Sequence, residues 1–134
     1  MRYVSHTAEF RRKYREAQER TLEAIGQTST SWIIAAAPVG EDGGGHYKSS
    51  IQYEVNLEEQ KVTAYTDAHY GPYLEFGTGI YAENGQGRKD PWSYKDESGK
   101  WHTTQGMRPR RIFRVVEERV NDLVRLAQEM MRID

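Results

Sequence analysis

The chain has 134 residues, 37% hydrophobic and 29% charged, which allows one domain with a modest core and a high ratio of surface to interior. A formal net charge of −1 gives no global pull toward nucleic acid or membrane, and no apolar run is long enough to cross a bilayer. The absence of cysteine excludes disulfides, thiolate metal sites and cysteine nucleophiles; with the polar, basic start over residues 1–15, which lacks the apolar segment of a signal peptide, it fits folding in a cytoplasm.

The first predicted element is an amphipathic helix over residues 7–36. Phe10, Tyr14, Ala17, Thr21, Ile25, Ser29, Trp32 and Ala36 form a stripe of helical period, with Arg11, Arg12, Arg15, Glu19 and Glu23 opposite. Gly26 and the run from Thr28 to Ser31 favour a bend, and Pro38 ends the helix. Three consecutive glycines then predict a mobile loop over 39–46. A phosphate-cradling loop is rejected because no Gly-Lys-Ser/Thr ending follows.

Alternation over 47–55 puts Ile51, Tyr53 and Val55 on one face. A turn at 56–60 and a second alternating run at 61–66 complete an antiparallel hairpin with one wet face. Residues 70–79 pack three aromatics, a proline, a glutamate and three glycines into ten positions. They predict a corner in which Tyr73 and Phe76 are buried and Gly77 or Gly79 takes a positive φ. A second mobile loop is expected near 80–90, then a projecting hairpin over 91–104, turning at 96–99, with Tyr94 opposite Trp101 and Trp92 opposite Thr103. The last element is a helix over 109–131, with Pro109 in its first turn and Ile112, Val116, Val120, Leu123, Ala127 and Met130 as its apolar stripe. The expected fold is a single α+β domain: a small antiparallel sheet of two hairpins packed against a long N-terminal helix and a C-terminal helix.

No catalytic constellation stands out. His6, His46, His69 and His102 do not fall at metal-ligand spacing, and no nucleophile motif is present. Glu75, in an apolar neighbourhood, is expected to accept from backbone N–H groups or to pair with an arginine. Arg88, Lys89, Arg108, Arg110, Arg111 and Arg114 form the notable basic cluster, with Arg110 and Arg114 four apart on the expected final helix. At least one is expected to meet a carboxylate, Glu75 being a candidate. The others face a neighbouring subunit or DNA phosphates, the protein partner being favoured.

Ala37-Pro38-Val39, a glycine-rich gap, Tyr47-Lys48-Ser49-Ser50-Ile51, and the corner from Tyr70 to Thr78 together resemble a phage family. This is the family of small tail-completion or head–tail joining proteins of long-tailed phages, often described as minor tail components. Members show an Ala-Pro-Val, a Thr-Gly, a Leu-Arg-x-Ser-Ile and a Tyr-Ala-x-Tyr-Val-Glu-Phe-Gly-Thr, in the same order over roughly residues 35–134. The gap at 41–46 is longer here, Tyr47-Lys48 stands for Leu-Arg, and residues 107–113 match only loosely.

The resemblance implies a non-enzymatic virion protein without cofactor or metal, made in the host cytoplasm from a phage or prophage gene. It would join or complete the tail at the head–tail interface as a ring of its own copies around the DNA channel, touching neck or tail-tube proteins, with no membrane partner. Tyr70, Pro72, Tyr73, Glu75, Phe76, Gly77 and Thr78 are then its structural corner. Arg88, Lys89, Trp92, Trp101, Arg108, Arg110, Arg111 and Arg114 are its candidate contacts with partners or channel DNA. The alternative is a cytoplasmic nucleic-acid-binding module or an enzyme with an unmarked site.

Overall fold

A computed structural model describes residues 4–38, 44–96 and 98–133. The fold is α+β. Helix α1 (Thr7–Ala36) is followed by α2 (Gly44–Ser50), the hairpin β1 (Ile51–Asn56) and β2 (Lys61–Thr66), then α3 (Gly71–Phe76) and a 3-10 turn (Gly79–Tyr81). The hairpin β3 (Trp92–Lys95) and β4 (Trp101–Thr104) precedes α4 (Arg114–Glu118) and α5 (Val120–Met130). The two hairpins form separate two-stranded antiparallel sheets.

The first helix has the predicted bounds and runs without interruption, but its buried face is rotated from the predicted stripe. Ala17, Thr21, Leu22, Gly26, Ser29, Thr30 and Ile33 are buried, whereas Phe10, Tyr14 and Ala36 are exposed. The buried side chains are mostly small, and that decides the orientation: a small face admits neighbours closely. A Cβ on Gly26 would overlap the Tyr53 ring of β1, and Tyr53 donates its hydroxyl to Glu23 Oε2 at 2.7 Å. The hairpin β1–β2, α4 and α5 all pack on α1. Among the described residues, no helix is long and apolar enough to cross a membrane.

The predicted first strand begins too early. Residues 47–50 belong to α2, where Ser49 and Ser50 donate their hydroxyls to the carbonyls of His46 and Tyr47. This turn drives the Tyr47 ring into the core with Ile33, Ala37, Ile51 and Ile112. Ile51 opens β1 and pairs with Thr66, and Ile51, Tyr53 and Val55 share the inner face as expected. Of the loop expected over 39–46, residues 39–43 lie outside the described residues and 44–46 open α2.

The second hairpin has a different register. Trp92 pairs with Thr104, Tyr94 with His102 and Lys95 with Trp101. The turn is one residue shorter than a 96–99 turn, because Asp96 itself closes it against Lys100. Its N–H donates to Lys100 O at 2.9 Å, its Oδ1 accepts from Lys100 N–H at 2.8 Å, and its carbonyl accepts from Gly99. The sheet pairs Tyr94 with the His102 ring, stacked at 5.3 Å, and leaves Trp101 66% exposed.

The final helix starts five residues later than predicted and breaks at Arg119. Residues 105–111 instead form an extended strap along the corner. Strap and corner exchange Thr78 N–H to Met107 O (2.9 Å), Ile80 N–H to Gln105 O (3.0 Å) and Arg110 N–H to Leu74 O (2.7 Å). Arg111 adopts a positive φ of 50°, incompatible with a helix, so Pro109 sits in the strap and Ile112 reaches the core ahead of α4 rather than from it. The helix α5 has no buried residue, and Val120 and Val124, one of them in the predicted stripe, are exposed.

Candidate functional site: an aromatic groove on the corner

The corner is built by main-chain pairing. Gly77 (φ 79°) and Gly79 (φ 62°) both take left-handed backbone, as the aromatic–glycine alternation predicts. Both also sit against the strap: a Cβ on Gly77 would lie 2.8 Å from Met107 O, and one on Gly79 would overlap Gln105 O. Thr78 locks the same junction, its Oγ1 accepting from Met107 N–H at 2.9 Å.

Glu75 is buried, and its Oε2 accepts from Phe113 N–H at 3.0 Å. The carboxylate therefore satisfies a backbone donor, one of its two expected roles, and ties α3 to the start of α4. It meets no arginine in an ion pair among the described residues. Its charge, after burial itself, raises the pKa of the Tyr47 phenol, whose hydroxyl has no hydrogen-bond partner among the described residues.

Tyr73 and Phe76 do the opposite of what was expected, whereas Tyr70 packs against the core. Tyr73 is 58% exposed and Phe76 51% exposed. The reason is the short α3: its buried face is taken by Gly71 and Glu75, with Leu74 and Tyr70 against the core, so Tyr73 and Phe76 fall on the outer side. With Pro72 and Trp92 they line an open groove of about 840 Å³, whose floor includes the backbone of Gly77 and Gly79. The loop after the 3-10 turn forms the far wall. It is drawn onto the corner by Glu83 N–H to Phe76 O at 2.9 Å, and Gly87 lies against the Gly79 carbonyl.

The basic cluster does not form one patch. Arg110 and Arg114 do not share a helix face, because Arg108, Arg110 and Arg111 lie in the strap. Arg114 pairs closely with Glu83, and Arg111 approaches the same carboxylate at 3.7 Å, so the expected carboxylate partner is Glu83 rather than Glu75. The Arg114 hydrogen bond holds Glu83 below the usual carboxylate range. Arg88 lies over the Trp92 ring at 5.6 Å and Arg108 over Tyr81 at 4.7 Å. Lys89 donates to Gly85 O at 2.9 Å, and Arg110 is exposed. Most of the predicted contact residues are thus spent on fixing the groove wall.

A second exposed aromatic pair was not singled out by sequence reasoning as a contact site. Phe10 and Tyr14 stack at 6.4 Å on the first turns of α1 and are 58% and 42% exposed. The signal was present: two aromatics at i and i+4 sit in a segment otherwise made of charged side chains. Among the described residues, no group of three or more His, Asp or Glu side chains is placed to hold a metal ion. Comparison with known proteins returns no match: no protein family, no curated protein and no solved structure.

Proposed function

We infer that this chain is a structural subunit of a phage neck or tail, joining or completing the tail at the head–tail interface as a ring of its own copies around the DNA channel, and that it works by contact rather than by catalysis. The observation that carries the reading is its surface. The chain exposes 10055 Å², roughly 2,800 Å² more than the ~7,300 Å² of a compact monomer of its mass. A standard interface covers about 800 Å² on each partner, so the excess suffices for two separate contacts on each subunit, as a ring requires. The exposed groove, the uncovered face of α5 and the resemblance of the corner to tail-completion proteins support the same reading. The engagement of Arg88, Arg108, Arg111 and Arg114 with groups of their own chain favours protein partners over DNA.

Two measurements test it. Light scattering of the purified chain, alone and with tail-tube protein, is expected to find an assembly larger than 15.6 kDa. Deleting the gene from its phage is expected to leave DNA replication intact and to yield filled heads and tails that do not join. Normal infectious particles from the deletion, or a turnover activity that depends on Glu75 or on a histidine, would overturn the reading.

A further inference from the structure

We propose that Asn84 is a self-modifying site: its side-chain amide is lost to attack by the Gly85 backbone nitrogen, and a carboxylate takes its place in the wall of the aromatic groove. The reaction needs no second copy and so stands apart from the assembly reading. Asparagine is among the thermolabile side chains, and how fast it is lost depends on what surrounds the next backbone nitrogen. The chain has three asparagines, Asn56, Asn84 and Asn121, and the structure sets one of them apart. Asn84 and Gly85 are both exposed. Gly85 takes a positive φ of 71°, and a Cβ built on it would meet nothing within 4 Å. Neither the glycine itself nor a packed neighbour crowds the attacking nitrogen.

The hydrogen bonds around Asn84 suit the attack. Its Oδ1 accepts from Gln86 N–H at 2.9 Å, as asparagine does at turns. Negative charge develops on this oxygen as nitrogen adds to the carbonyl carbon, so a donor already stands where the charge forms. The Gly85 N–H is bonded to Ala82 O at 3.0 Å, and this one bond must open first. It closes an exposed turn, and such bonds open far more readily than those of a core. The Gly85 nitrogen then gives its proton to solvent and bonds to Asn84 Cγ. The bond from Cγ to Nδ2 breaks, the nitrogen takes a solvent proton and leaves as ammonia, and a cyclic succinimide remains. Water opens the ring at either carbonyl and leaves aspartate or isoaspartate. In sum an amide and a water become a carboxylic acid and ammonia, with no change of oxidation state.

The other amides are held away from this chemistry. Asn56 has a comparable donor, Glu59 N–H at 3.0 Å, but Leu57 follows it, and a side chain on the attacking residue hinders approach. Asn121 lies in α5, where the N–H of Asp122 is bonded to Arg119 O at 3.0 Å. Gln86 and Gln105 also precede glycines, but their longer side chains must close a larger ring. Gly87 and Gly106 are wedged besides, since a Cβ on either would overlap the carbonyl of Gly79 or Thr78. The product matters because of its place. Asn84 lines the groove together with Arg88, and the neighbouring Glu83 carboxylate is already engaged by Arg114. The new carboxylate adds a second acid to that wall, so ageing changes the charge of the surface a partner meets.

Peptide mapping of the aged, folded chain tests the site. Trypsin puts the three asparagines into separate peptides, residues 49–61, 62–88 and 120–125, so each reports by itself. The chain is held at mildly alkaline pH and physiological temperature and sampled over weeks. The expected result is the mass increase of an amide-to-acid exchange at Asn84, divided between aspartate and isoaspartate peaks. It should proceed at least about tenfold faster than at Asn56 or Asn121, a difference of roughly 1.4 kcal/mol in barrier. Gly85→Ala sets its Cβ in open space, so the variant is expected to fold, with unchanged circular dichroism as the check. It should slow the exchange by about tenfold or more, because the methyl crowds the attacking nitrogen. Exchange at Asn84 no faster than at the other two asparagines overturns the proposal. So does a folded chain that stays unmodified while an isolated peptide of residues 79–89 reacts. A folded Gly85→Ala chain that ages at the unaltered rate overturns the route through the Gly85 nitrogen, and the proposal with it. If that variant does not fold, the comparison among the three peptides of the unaltered chain decides alone.

Discussion

At the corner, Leu74, Glu75, Thr78 and Ile80 each exchange a hydrogen bond with the strap or with the start of α4, and two glycines let the backbones touch. At the other end of α1, Phe10 and Tyr14 are held by their own helix and by each other. Both regions present exposed aromatics, yet they achieve it differently. The corner is a framework whose rigidity comes from main-chain pairing, so its aromatics are free to line a surface. At the start of α1, Phe10 and Tyr14 stay exposed although Ala17, about one turn further along the helix, is fully buried. Burial of Tyr73, Phe76, Phe10 or Tyr14 is therefore not what anchors either region.

The sharpest way to break this comparison is to attack the framework without touching an aromatic. Gly79→Ala forces an L side chain into a φ of 62° and sets its Cβ against the Gln105 carbonyl, which is backbone and cannot swing aside. The expected loss is more than about 3 kcal/mol, enough to unfold a domain with so small a core, read as a collapsed melting transition. A Gly79→Ala chain that melts like the unaltered one would mean the strap is not seated as described.

Phe76→Ala probes the other half of the comparison and should behave oppositely. A buried phenylalanine costs about 3–5 kcal/mol when truncated. Phe76 is half exposed, so the expected cost is below about 1.5 kcal/mol, and the variant should remain folded and soluble. This reverses what the sequence alone suggests. Chemical denaturation measures it; a loss above about 3 kcal/mol would place Phe76 among the anchors of the fold after all.

The reversal shows which features were legible in the sequence. The bounds of α1 were readable because Thr7 to Ala36 is uninterrupted and Pro38 stops it. The inner face of β1 was readable because its alternation is strict at Ile51, Tyr53 and Val55. The positive φ at Gly77 and Gly79 followed from local chemistry. So did the role of Glu75 as an acceptor for backbone, since a carboxylate in an apolar setting needs donors. What failed depended on long-range pairing. The strap of residues 105–111 looks like the approach to a helix, and only its hydrogen bonds to residues 74–80 make it extended. The buried face of α1 was misplaced because apolar size pointed to Phe10 and Tyr14, whereas close packing selected Gly26, Ser29 and Thr30. The groove needs α3, the loop beyond it and Trp92 at once, and no local pattern brings these together.

The smallest expected effect concerns the β3–β4 hairpin, which packs chiefly on itself and so responds to its own turn. The Asp96 carboxylate accepts from the Ser98 hydroxyl, the His102 ring at 2.6 Å and Lys100 N–H, and these bonds, in that order of weight, hold its pKa well below an aspartate's ordinary value. A depressed acid contributes stability that is fully present above its unfolded-state pKa, about 3.9, and that is lost as pH falls from there through the folded-state pKa. The hairpin is therefore expected to keep its order down to about pH 4 and to loosen below it while α1 persists. Asp96→Asn cannot ionise, so it should remove that acid transition and loosen the turn at neutral pH as well. Fluorescence of Trp101, which pairs with Lys95 directly beside the turn, reports it locally, and far-ultraviolet circular dichroism reports the helices. The expectation is a shift of the fluorescence signal below pH 4 in the unaltered chain that has no counterpart in Asp96→Asn. An identical acid transition in both chains would assign the low-pH change to other carboxylates and leave Asp96 with no part in holding the projecting hairpin.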